Sequence, residues 1–269
     1  MVAAAWRIPL GGLISEVGAL LDRTLSGREA NSVTVYFRAD DIAVPSAALA
    51  RLMGLFLTHR TPLALALVPA WLSAPRWKTL RQWGEAAPGL WCWHQHGWRH
   101  HNHNHQGKKA EFGAQRLHAL AIRDLTNGLE RLHRVVGAAF TPILTPPWNR
   151  LNPELLFRLE AMGFSAISRD ESQARQYPAP LPEIPVHLDL HTHKASHPPL
   201  ARHYLLDALG SGLESGCCGI MIHHQRMNDN AFDFLDFLLD TLGRSKAVAQ
   251  AGFNDLLSRP PQPPARHMP

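Results

Sequence analysis

The sequence predicts an α/β fold built on a parallel sheet or barrel, and three observations carry that prediction. Short apolar runs alternate with longer stretches of helical periodicity. The runs are rich in Val, Ile, Leu and aromatic residues throughout, as strands covered on both faces are. Ionisable residues gather just after several runs, at what becomes one end of the sheet, and parallel barrels carry their chemistry there.

The elements follow in order. In Met1–Leu21 a lone Arg7 precedes an apolar stretch broken by Glu16, a poor signal peptide, so a cytoplasmic location is expected. Val33–Phe37 is the first strand, and Arg38-Ala39-Asp40-Asp41 follows it. Ser46 is the N-cap for a helix over Ala47–Thr58. Leu63–Val68 and Leu90–Trp93 are the next strands, the latter leading into His94-Gln95-His96-Gly97-Trp98-Arg99-His100. Phe112–Val136 places Leu117, Leu120, Ala121, Leu125, Leu129, Leu132 and Val136 mostly three or four apart, predicting an amphipathic helix that Gly137 stops. The strand Phe140–Leu144 runs into Thr145-Pro146-Pro147-Trp148-Asn149-Arg150, and Asn152-Pro153 opens a helix over Glu154–Met162. Three strands complete the sheet: Phe164–Ile167, Ile184–Leu188 before Asp189, and Gly219–Ile222 before His223-His224. Helices are expected over Ala201–Leu213 and Ala231–Leu242. Residues 1–258 read as one domain, and 259–269 as a proline-rich disordered tail.

Composition narrows the function. With 269 residues, 45% hydrophobic and 18% charged, the chain has an ordinary globular balance. Its apolar runs are too short to span a bilayer, and three cysteines, two of them adjacent, make no disulfide framework. The net charge is +5, but the basic residues are scattered, so neither a nucleic acid nor a membrane is expected as partner. The 17 histidines are the stronger signal, because imidazole is the commonest metal ligand.

Two clusters can carry metal chemistry. Asp40 and Asp41 are adjacent carboxylates at a strand end; in an extended chain they point to opposite sides, one free to bind a metal and the other to act as a base. The same pair also suits a turn or a cap. His96 and His100 lie four apart, a spacing that on a helical turn lets both rings share a cation. The tract His100-His101-Asn102-His103-Asn104-His105 allows a plainer reading, a solvated patch that binds metals loosely. Trp98 and Trp148, beside the polar loops, are placed to stack on a sugar ring or line an acyl pocket.

In order, these pieces resemble the polysaccharide deacetylases of carbohydrate esterase family 4, the NodB-homology group. The resemblance runs from about Thr34 to Asn228. Asp40-Asp41 match the family's opening Asp-Asp pair, and His96-Gly97-Trp98-Arg99-His100 its His-x-x-x-His. Pro146-Pro147-Trp148 match a Pro-Pro-aromatic loop, and Gly219-Ile220-Met221-Ile222-His223 a late apolar strand ending in His. The resemblance implies a distorted (β/α)7 barrel of the NodB-homology type with one divalent metal, most commonly zinc. It implies Asp41, His96 and His100 as metal ligands and Asp40 as general base. The Trp148 backbone N–H is then the oxyanion donor, with Trp98 and Arg150 beside the substrate, and His223 is the acid, supported by Asp189. His224 is the alternative acid.

Two departures stand out. Thr145 occupies the position of the family's Arg partner to the base, leaving Arg38 or Arg150 to replace it, and no Trp follows Asp189 in Leu190–His197. The expected activity is metal-dependent removal of an acyl, chiefly acetyl, group from an N-acylated, sugar-containing substrate. The alternatives are another metal-dependent hydrolysis on the same barrel, of a small N-acyl metabolite or a phosphoester, and a non-catalytic histidine-rich metal-binding protein.

Overall fold

The computed structural model describes residues 2–192, 194, 195 and 197–258; the tail expected over 259–269 lies outside the described residues. The apolar runs become strands β1 (Val33–Ile42), β2 (Leu63–Leu67), β3 (Trp91–His96), β4 (Phe140–Thr145), β5 (Ala166–Ile167), β6 (Leu188–Asp189), β7 (Cys217–Ile222) and β8 (Val248–Gln250). They form one sheet in the order β5-β4-β3-β2-β1-β7-β6, with β8 appended to β1, and every pairing is parallel. The connections supply helices α1 (Gly11–Leu25), α2 (Ala47–Thr58), α3 (Ala74–Gly84), α4 (His118–Val136), α5 (Pro153–Leu156), α6 (Glu171–Gln176), α7 (Pro198–Glu214), α8 (Asp229–Arg244) and α9 (Phe253–Ser258). The sheet curls into the distorted (β/α)7 barrel that the sequence led us to expect.

The seam falls where the sequence places its sixth strand. Ile184–Leu188 is regular only from Leu188, because Pro182 and Pro185 bracket its first half and proline has no N–H for a ladder. The backbone still spans the gap: Ile184 N donates to Ile167 O (2.9 Å) and Val186 N to Arg169 O (2.7 Å), while His187 N donates to Gly219 O (2.8 Å) on the other side.

Strand alternation separates two cores. Val33, Val35, Phe37 and Ala39 of β1 pack outward into the layer shared with the helices. Tyr36 packs inward with Ala64, Cys92, Ile143, Ala166 and Ile184, and Phe253 of α9 joins them. Further along β1, Arg38 and Asp40 share the period of Tyr36 and so continue up the lumen. The barrel is thus apolar at its base and charged towards its mouth.

Several boundaries differ from expectation for local reasons. Ser46 caps α2, its side chain accepting from Leu49 N (3.2 Å). The helix expected from Phe112 begins only at His118, because Phe112 is buried and pairs with Leu151, its carbonyl accepting from Asn152 N (2.8 Å). The helix expected over Glu154–Met162 splits into α5 and a 3-10 turn at Glu160–Met162. Helix α1, read in the sequence only as a poor leader, buries Leu13, Val17, Leu20 and Leu21 at helical spacing. Helices α3, α6 and α9 and strand β8 are also additions, all but α3 too short for a clear periodic signal. No helix among the described residues is long and apolar enough to cross a membrane.

Candidate metal centre

The mouth of the barrel is shaped by an irregularity in β1. Ala39 pairs with Leu65 and Ile42 with Leu67, so β1 carries one extra residue across this stretch, and Asp41 sits at φ 62°. This is a bulge, which re-aims side chains. Asp40 and Asp41 therefore do not diverge as they would in an extended strand. Asp40 stays in the lumen and Asp41 swings onto the rim beside it.

The two histidines also meet by a route other than the helical turn their spacing suggested. His96 ends β3, and the chain then turns through Gly97 (φ 58°) to His100 (φ 56°). A Cβ on Gly97 would lie 2.2 Å from Glu111 Oε2 and 2.6 Å from Pro147, so only glycine fits. Buried Glu111 holds the turn, accepting from Trp98 N (3.0 Å) and Arg99 N (2.7 Å). In the sequence Glu111 ends a polar stretch, Lys108-Lys109-Ala110-Glu111, that reads as a loop before a helix, and its distance from the turn along the chain gives no signal of this role.

Asp41 Oδ1 lies 3.3 Å from His96 Nε2 and 3.2 Å from His100 Nε2. These ligand atoms lie within 4.8 Å of one another, and this is the only such group of three or more His, Cys, Asp or Glu found among the described residues. The Nδ1–H of His96 donates to the Thr145 carbonyl (2.9 Å), which leaves the lone pair on Nε2 facing Asp41. Asp41 Oδ1 and His96 Nε2 are buried and have no hydrogen-bond partner among the described residues. Two lone-pair atoms aimed at each other call for a cation between them. The residues therefore fit a divalent metal, and two imidazoles with one carboxylate are a donor set of the kind catalytic zinc sites use.

Electrostatics agree with this. Burial alone would raise the Asp41 carboxyl, but His96, His100 and His223 outweigh it and hold it well below its ordinary value. Burial and the neighbouring His96 push His100 down to about 4, so it is a neutral donor near pH 7. Burial would likewise lower His96, but the charge of Asp40 and the close contact and charge of Asp41 raise it instead, so the carboxylates draw a positive charge, proton or metal, to Nε2.

Asp40 is held from below. Arg38, fully buried, donates from Nε to Asp40 Oδ1 (2.8 Å) and from a terminal nitrogen to Oδ2 (2.9 Å). The same guanidinium donates to Ser168 Oγ (2.8 Å) and Asn149 Oδ1 (2.7 Å). Burial raises the Asp40 carboxyl, and Arg38, with His96 and His223, more than offsets this, so it stays below its ordinary value. Of the two arginines offered as substitutes at the Thr145 position, Arg38 makes the pair. Arg150 instead donates to the Lys109 carbonyl (2.8 Å) and does not reach Asp40. Thr145 Oγ1 is 2.9 Å from His94 Nε2, and burial, with Arg38 beside it, pushes His94 down to about 3.

Trp148 closes one side of the centre, its ring 4.4 Å from that of His100 and its backbone at φ 56°. Among the described residues its N–H donates to no group of the protein. Trp98 is half-buried against the outer core, its carbonyl accepting from Ala70 N (3.0 Å), and no ring contact joins it to His100 or Trp148 among the described residues.

The opposite rim departs from expectation. Asp189 makes its hydrogen bonds within its own turn. It accepts from His191 N (3.0 Å), from Thr192 N (2.9 Å) and from the Thr192 hydroxyl, so it closes its own turn. No hydrogen bond or ion pair joins it to His223 among the described residues. His223 is tied instead to His191, whose Nδ1 accepts from His223 N (3.2 Å). His191, His223 and His224 each keep a buried ring nitrogen without a partner. Burial, with the charge of His223 adding and Asp41 opposing, pushes His224 down to about 4. His193 lies outside the described residues.

No family model and no curated protein matches the chain by sequence. By structure it is similar to a protein from Mycobacterium smegmatis assigned as a polysaccharide deacetylase, with a TM-score of 0.64 and 15% identity over 85% of this chain and 90% of that one. It is also similar to a family 4 acetyl xylan esterase from Clostridium thermocellum in complex with a cobalt ion, with a TM-score of 0.54 and 13% identity over 83% and 89% of the two chains. A third likeness, with a TM-score of 0.51 and 12% identity over 84% and 67%, is to a mutant of a pseudoenzyme of carbohydrate esterase family 4. At such identities the shared property is the fold, the one that the sequence resemblance implied.

Proposed function

We propose that the protein is a metal-dependent hydrolase that removes an acetyl group from an N-acetylated, sugar-containing substrate. The observation that carries this reading is the convergence of Asp41, His96 and His100 on one point, with Asp40 beside them. A divalent cation there, zinc by the donor set, supplies Lewis acidity that makes a water more acidic and a carbonyl more electrophilic.

The chain's own residues do the rest. Asp40, kept as a carboxylate by Arg38, takes the proton of the attacking water as general base. The Trp148 N–H, held on the stiff Pro146-Pro147 loop without an acceptor of its own, donates to the acyl oxygen as it becomes negative. His223 gives a proton to the leaving nitrogen, and His191 fixes its backbone. The Trp148 ring lines the acyl side. A second reading, a metal-binding barrel without turnover, is favoured by one observation: Asp189 is spent on its own turn, so among the described residues no carboxylate is hydrogen-bonded to the acid.

The test is hydrolysis of a panel of N-acetylated amino sugars and their oligomers by metal-loaded protein, with phosphoesters in parallel. Release of acetate by wild type, and its loss in Asp40→Asn, is the expected result. Phosphoester turnover without acetate release would overturn the reading. Tight metal with no turnover anywhere in the panel would move the case to the second reading.

A further inference from the structure

The histidine tract after His100 is an ordered wall. Asn102 Oδ1 accepts from Asn104 N (3.1 Å) and Ala110 N (3.0 Å), and Gln115 Oε1 accepts from His105 N (2.8 Å). His101 and His103 pack edge to face at 4.9 Å. The tract supplies no three-ligand metal group among the described residues, so the loose metal binding its composition suggested has no prepared site there.

It lines a cavity of about 630 Å³ instead, within the range of roughly 300–1,000 Å³ that small-molecule sites occupy. The odd-numbered residues Arg99, His101, His103 and His105 face this cavity, and His100 between them turns away to Asp41. The facing wall comes from the approach to α4 and its first turns. There Arg116 and Arg123 both pair with one carboxylate, Asp124. Arg99 has no carboxylate partner among the described residues; it lies over the Trp98 ring at 5.9 Å. Three guanidinium groups thus share one carboxylate, an excess of two positive charges before any imidazole is protonated. Beside them, Leu117 is 73% exposed and Leu120 38% exposed, apolar side chains left uncovered at the cavity wall.

We propose that this cavity binds a phosphate monoester, its dianionic head on Arg99 and Arg123 and its organic part on Leu117 and Leu120. A dianion matches the uncompensated charge, the Arg99 guanidinium fork matches phosphate oxygens, Arg123 adds the terminal nitrogen that does not hold Asp124, and the two leucines give the ester an advantage over the bare ion. The site is separate from the metal centre and stands whether or not the deacetylase reading holds.

Calorimetric titration of the full chain with n-hexyl phosphate, inorganic phosphate and hexanoate tests this. The expected result is saturable binding of hexyl phosphate at least tenfold tighter than either of the others. Arg99→Ala combined with Arg123→Ala should weaken it at least tenfold, with metal content unchanged as the check on folding. Leu117→Ser should bring hexyl phosphate close to inorganic phosphate. Binding should persist in Asp41→Ala; its loss there would assign the phosphate to the metal centre and overturn the proposal. Equal affinity for inorganic and hexyl phosphate in wild type would overturn the ester assignment. No saturable binding, or binding indifferent to the two arginine substitutions, would overturn the site itself.

Discussion

The two sides of the barrel mouth leave polar atoms unanswered in different ways. On the β1–β3 side, a carboxylate oxygen of Asp41 and a ring nitrogen of His96 are orphaned facing each other, with His100 alongside. On the β6–β7 side the orphaned atoms among the described residues are imidazole nitrogens, on His191, His223 and His224, and the nearby carboxylate of Asp189 is turned into its own loop. The first side is arranged to gather a cation. The second can exchange protons, but among the described residues no carboxylate is hydrogen-bonded to its histidines; the charges of Asp40 and Asp41 reach it only from across the mouth. Ligand binding and proton delivery are thus built to different degrees of completeness.

The largest effect that sharpens this contrast is expected from Asp41→Ala. It should abolish the one tight metal equivalent that survives dialysis of wild type, as read by mass spectrometry of the metal content. Equal tight metal in both proteins would break the first half of the comparison. Asp40→Asn should keep the metal and lower turnover by about 10²–10⁴-fold, the usual worth of a general base. Lost metal in that variant would mean Asp40 belongs to the ligand set.

Arg38→Met separates stability from catalysis. It leaves Asp40 buried without its partner, and breaking a buried pair from one side costs about 3–5 kcal/mol, readable by chemical denaturation. A change below 1 kcal/mol would show that water relieves Asp40. The pH dependence has a definite sign. The Asp40 carboxyl is held below its ordinary 3.8 in the fold, so its ionisation stabilises the native state above about pH 4. That contribution is lost as pH falls through the lowered value. The stability gap between wild type and Asp40→Asn in chelator should therefore be constant at neutral pH and narrow in acid; a gap that widens in acid would contradict the assignment.

The smallest effect belongs to Asp189→Asn. An amide oxygen still accepts from His191 N and Thr192 N, so turnover should change less than about threefold (under ~0.7 kcal/mol on the tenfold-per-1.36 scale). A large drop with a shifted pH profile would show that Asp189 reaches His223 during the reaction and would erase the difference between the two sides.

The strand period and the position of polar residues after each strand are legible in the sequence. Both are local properties: apolar runs specify β1 to β4 and β7, and the side chains that follow them must stand at the barrel mouth. Alternation alone places Tyr36, Arg38 and Asp40 on one lumen face. The folded barrel settled which of the possible partners, near or far along the chain, actually meet. The extra residue in β1 relative to β2 swung Asp41 onto the rim beside Asp40. Glu111 pins a turn thirteen residues before it. Arg38 became the partner of Asp40 through the pleat, while Arg150, equally plausible by composition, was drawn to Lys109. Asp189 went to its own turn because backbone N–H groups two and three residues on compete locally for its oxygens. Spacing records which residues can meet; which of them do meet is settled by bulges, positive-φ turns and competing hydrogen bonds, all fixed by the packing of the whole barrel.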